Sequence, residues 1–119
     1  MLTNGQSFHH ASLIAITRSQ DDLTLSFENV YVNGALRFAV VQLHGVTEIR
    51  CDGNVIEQLE LMEDDGEVLE LTTDATGLSM LISWVNFNDD TEIAQSYRIA
   101  CRSIDTTIGA ISPDSPIGN

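Results

Sequence analysis

Three imidazoles, two thiols and an excess of carboxylates are the side chains with which this chain could do chemistry. His9 and His10 stand side by side in "SFHHASLIAI", at the mouth of what reads as the first β-strand. A shared metal ion needs both imidazoles on one side of the backbone, whereas adjacent strand residues point to opposite faces. The pair is therefore expected to diverge as the polar lip of a strand, and no metal site is assigned. His44 closes the run "LRFAVVQLH" on the face of Val40 and Phe38, and reads as a hydrogen-bonded histidine near the core edge. Cys51 and Cys101 lack the Cys-x-x-Cys spacing of a redox or zinc motif, and their apolar neighbours suit packing better than reactivity. Neither a Gly-x-Ser-x-Gly elbow nor a glycine-rich phosphate loop is present. No catalytic residue and no cofactor is assigned, and nothing marks the chain as an enzyme.

Charge narrows the partners. Five Lys and Arg stand against 18 Asp and Glu, a formal net charge of −13. Nucleic-acid binding needs cationic side chains to neutralise phosphates, so that class is excluded. Such a field attracts a basic protein surface or a divalent cation. Acid density peaks from Glu48 to Asp74, where ten carboxylates accompany one base, Arg50. Glu57, Glu60, Glu63, Asp64, Asp65, Glu67 and Glu70 form the candidate partner-binding set. Acidic turns could offer oxygen ligands to calcium, but no EF-hand loop is present. The plainer reading is a solvated face whose charges discourage edge-to-edge aggregation.

The segment "MLTNGQSFHH" has no basic or apolar signal region, and no apolar run is long enough for a membrane helix. The expected location is the cytoplasm, with Cys51 and Cys101 as reduced thiols.

The elements that must position these side chains are strands. Leu23, Leu25 and Phe27 alternate with polar residues, as do Ile93, Tyr97, Ile99 and Cys101 in their own run. Turn residues punctuate the runs at short intervals, and both prolines lie near the C-terminus. Asn33-Gly34 predicts a type I′ hairpin that sets Tyr31 opposite Leu36 and Phe27 opposite Val40. Asp64-Asp65-Gly66 predicts a loop with Gly66 left-handed, Leu59 facing Leu71, Leu61 facing Leu69, and Glu60 facing Glu70 on the outer surface. A loop over Asn88 to Thr91 would pair Ile82 with Tyr97 and Met80 with Ile99. The expected core is Trp84, Phe27, Phe38, Ile82, Leu59, Leu61, Leu69 and Ile99. This reads as all-β: a single antiparallel β-sandwich of about eight strands, with a partly open β-barrel as the alternative. Residues 1–104 would form one domain and 105–119 a C-terminal tail.

The stretches "FHHASLIAI", "LTLSFENVYVNG" and "MLISWVNF…SYRIACRSI" resemble those of small uncharacterised bacterial all-β proteins. Some similar domains serve as immunity proteins beside polymorphic toxins, which implies protein binding without catalysis. Those proteins carry a histidine followed by an acid where this chain has His9-His10, so no functional residue is carried over. The leading expectation is a non-catalytic interaction protein that binds a basic protein partner through its acidic surface. A small metal- or ligand-binding module using His9, His10 or His44 is the second reading, and a hydrolase with an unrecognised site the third.

Overall fold

A computed structural model of the chain describes residues 6–63 and 65–112. Ten strands appear, in chain order β1 (Gln6–Ser7), β2 (Ser12–Ser19), β3 (Asp22–Val32), β4 (Ala35–His44), β5 (Glu48–Cys51), β6 (Asn54–Ile56), β7 (Asp65–Asp74), β8 (Gly77–Asn86), β9 (Thr91–Ala100) and β10 (Ser103–Ile111). No helix occurs among the described residues. Nine strands form one antiparallel sheet in the order β10-β4-β3-β2-β7-β8-β9-β5-β6, and β1 pairs with β3 beside this path. The all-β antiparallel expectation holds. The barrel alternative does not, because the sheet is neither closed nor strongly curled. Nor does the hydrogen bonding divide into two sheets, since β2 and β7 join through the pair Ser12 and Glu67.

Local chemistry explains where the expected registers hold and where they move. Asn33 and Gly34 have φ of 49° and 91°, the two positive values that a type I′ turn requires. Tyr31 faces Leu36 as expected, but Phe27 faces Ala39 rather than Val40. The cause is a bulge between Phe27 and Val30, where Asn29 adopts φ of 62°, a conformation asparagine tolerates. At the β8–β9 turn, the Asn86 side-chain oxygen accepts from the backbone N–H of Asn88 and Asp89 at 2.9 and 3.0 Å. That turn closes at Asn86 and Thr91, so Met80 faces Tyr97 and Leu78 faces Ile99. The expected register is off by two residues. An even slip keeps every side chain on its intended face.

The expected Asp64–Gly66 hairpin is absent. Asp65 to Asp74 pairs with β8 instead, through a turn at Ala75-Thr76, and residues 57–63 form no strand. Gly66 is not left-handed. It faces Trp84, and a Cβ there would lie 2.5 Å from the indole ring, so glycine serves close packing rather than a turn. Glu60 and Glu70 are consequently not cross-strand neighbours.

One contiguous core draws on β2 to β5 and β7 to β9. Trp84, Phe27, Ile82, Leu59 and Ile99 are buried as expected, while Phe38 and Leu69 are half-buried and Leu61 is exposed. The Trp84 indole N–H donates to the Tyr97 hydroxyl at 2.8 Å, and that hydroxyl donates to the Gln95 side-chain oxygen at 2.9 Å. Both aromatic residues thus bury their rings with their polar tips satisfied. Residues 105–111, expected within a tail, belong to β10 and pair with β4; 113–119 lie outside the described residues. Backbone bonds from Arg102 to His44 and from Val46 to Asp21 tie the end of β4 and the β4–β5 connection to the β9–β10 and β2–β3 connections.

Candidate functional site

The acidic set divides between a strand and an irregular strap. Asp65, Glu67 and Glu70 lie on β7, and Glu57, Glu60 and Glu63 lie on residues 57–63, which run from β6 to β7. Asp64 lies outside the described residues. Leu59 anchors the strap: it is 6% exposed and, with Gln58, lines a cleft shared with Ile16, Arg18 and Leu23 of the β2–β3 hairpin. Glu57 and Glu60 flank that anchor and are exposed. Beyond it, Leu61 and Met62 are 44% and 53% exposed. Glu63 then accepts from the Asn86 side-chain amide at 2.6 Å, which pins the strap to the β8–β9 turn. Phe87 follows at 68% exposure, and Ile93 opposite Trp84 is 59% exposed. Asp65, Val85 and Glu92 occupy one cross-strand row, and Asp89 and Asp90 form the turn. Exposed apolar side chains and carboxylates therefore meet at one end of the molecule. No arginine lies in residues 57–65 or 86–92. Sequence reading found the acids and missed the apolar residues, of which strand parity assigns Leu61 to the core.

His9 and His10 are not on a strand. The Phe8 carbonyl accepts from the Ala11 N–H at 2.9 Å, closing a turn around them, and His10 has φ of 71°. Phe8 and Ala11 are buried, with Phe8 edge-on to Phe27 at a centroid distance of 5.1 Å. The histidines between them project together, ring centroids 3.7 Å apart and planes at 45°. The expectation that they diverge is wrong. A signal was available: Phe8 and Leu13, both apolar, are an odd number of residues apart, which a continuous strand cannot place on one face. The His9 Nδ1–H donates to the Leu69 carbonyl at 2.6 Å, and the His10 Nδ1–H donates to a Glu67 carboxylate oxygen. Leu69 is available because a bulge between Val68 and Glu70 takes it out of the β8 ladder. Ser7, His9, His10, Asn29, Tyr31 and Leu36 line an open groove of about 490 Å³.

His44 bridges two carboxylates, Asp22 at 3.3 Å and Asp105 at 2.9 Å. Hydrogen bonding to Asp22, then to Asp105, raises its pKa above the ordinary histidine value and favours the imidazolium. It ties the start of β3 and the edge strand β10 to the end of β4, as the hydrogen-bonded histidine expected. Arg98 similarly ties Asp74 at 3.1 Å to Ser79 at 2.9 Å, and with Thr76 holds the Asp74 carboxyl well below the usual carboxylate range. Cys51 and Cys101 are free, and burial pushes both thiols up, away from the reactive thiolate. Burial also pushes the Tyr97 hydroxyl up to about 12.

Among the described residues, no group of three or more His, Cys, Asp or Glu is placed to hold a metal. No helix among them is long and apolar enough to cross a membrane. The chain matches no protein-family model, no curated protein and no solved structure.

Proposed function

We propose that this chain is a non-catalytic interaction protein that docks a basic protein partner on the end formed by the strap and the β8–β9 turn. The observation that carries this reading is the juxtaposition of exposed Leu61, Met62 and Phe87 with Glu60, Glu63, Asp65 and Glu92. Desolvated apolar anchors supply affinity at interfaces, while a rim of one charge sign steers an oppositely charged partner. The resemblance to immunity proteins points to a basic toxin as such a partner, in the bacterial cytoplasm. The same reading takes the two halves of the sheet as the facing layers of a sandwich, supported by one shared core and a single β2–β7 residue pair.

The experiment places a photo-crosslinking residue at Met62, and in a second protein at exposed Thr107 on β10, within the native host. The expected result is a basic protein captured from position 62 only. Its association rate with the purified chain falls as salt rises, and falls again in the Glu60→Lys/Glu63→Lys variant. Equal capture at both positions, or a rate unchanged by the two reversals at low salt, overturns the reading.

A further inference from the structure

We infer that His9 and His10 form a binding site for a divalent transition metal of the copper, nickel and zinc group. Both Nδ1 atoms are already committed. A carbonyl oxygen can only accept, so the bond to Leu69 assigns the His9 proton to Nδ1; the ionised Glu67 carboxylate does the same for His10. Each ring therefore presents its Nε2 lone pair to a ligand. A carbonyl or carboxylate behind each imidazole is the outer-shell arrangement that orients metal-binding histidines and raises their basicity.

Ring geometry agrees. A lone pair lies in the plane of its ring; the two rings have centroids 3.7 Å apart and planes inclined at 45°, so they are close and not stacked in parallel, an arrangement compatible with one shared ion. The turn that brings the rings together holds His10 in the left-handed region, a conformation uncommon for a residue other than glycine and often found at functional sites. Phe8 and Ala11, buried on either side, hold that turn against the core. With two protein nitrogens and an open groove beside them, the ion completes its shell with water or a ligand donor. Imidazole nitrogens select this metal group over calcium or magnesium, which prefer oxygen. The inference is independent of the docking surface, whose residues are carboxylates and apolar side chains.

The test is calorimetric titration of untagged, full-length protein with Cu²⁺, Ni²⁺ and Zn²⁺, and with Ca²⁺ as a control. One equivalent of at least one of the three transition metals is expected to bind, and none of calcium at this site. His9→Gln and His10→Asn each weaken binding at least about tenfold, asparagine being chosen because it tolerates the left-handed backbone. Glu67→Gln weakens it about tenfold, because the carboxylate behind His10 is lost. His44→Gln leaves it unchanged. Denaturation midpoints establish that each variant is folded, and pulsed electron paramagnetic resonance of the copper form shows two coupled imidazoles. Binding that survives the His9→Gln/His10→Asn double variant, or no binding by the folded wild type, overturns the proposal.

Discussion

His44 is the side chain whose protonation the surrounding charge controls. Asp22 and Asp105 face its two ring nitrogens, and both favour the charged ring, so its folded pKa lies above the ordinary 6.5. A group with a raised folded pKa contributes its stabilisation fully below the unfolded value and loses it as pH rises through the folded value. The wild type should therefore lose its advantage over His44→Gln as pH rises from the ordinary value of 6.5 through the raised folded value. Urea midpoints of the two proteins across that window measure the effect, and a pH-independent difference would mean that the imidazolium charge contributes nothing. At the same scale, the sequence disclosed which residues were polar and scarce. It did not disclose which polar residues meet: His44 and Asp105 are 61 positions apart, and His10 and Glu67 are 57 apart.

Among the elements, the strap from β6 to β7 departs most from expectation. Strand parity treated Leu59 and Leu61 alike, and a β-hairpin would have buried both. In the structure Leu59 enters the core and Leu61 stays 44% exposed, since an irregular segment has no period to impose. Leu59→Ala should cost about 2–5 kcal/mol, the range for truncating a buried leucine. Leu61→Ala should change stability by no more than about 0.5 kcal/mol. Denaturant titrations of both variants decide between strap and hairpin, because equal large losses would restore the hairpin. The Asn33-Gly34 hairpin, by contrast, was legible in advance because a two-residue turn sets its own dihedral angles without help from distant strands.

For the molecule as a whole, net charge is the dominant long-range term. With a formal charge of −13 and four of its five arginines in short-range pairs or backbone bonds, self-repulsion opposes the compact state. Raising sodium chloride from about 10 mM to about 150 mM shortens the screening length from about 30 Å to about 8 Å. The melting temperature is expected to rise across that range. Differential scanning calorimetry checks the sign, and a fall would mean that attractive pairs outweigh the repulsion.

Sequence alone determined the strand class, the antiparallel pairing and five of the eight residues expected in the core, because alternation and turn chemistry act over a few residues and report directly on one face and one corner. The strand β7 was recognisable in the same way, as Leu69 and Leu71 alternate with Glu70 and Thr72, although the bulge between Val68 and Glu70 places Val68 rather than Leu69 in the core with Leu71. Its partner was not. Whether β7 pairs backward with the strap or forward with β8 depends on which arrangement buries Trp84 over Gly66, a contact between residues 18 positions apart that no local period encodes. The histidine turn was decided in the same way. A continuous strand and a break at His9-His10 are both open to the local sequence, and burial of Phe8 against Phe27 together with the Val68 backbone bonds selects the break. Tertiary packing thus chose among local alternatives, because the free energy separating them resides in contacts between distant segments.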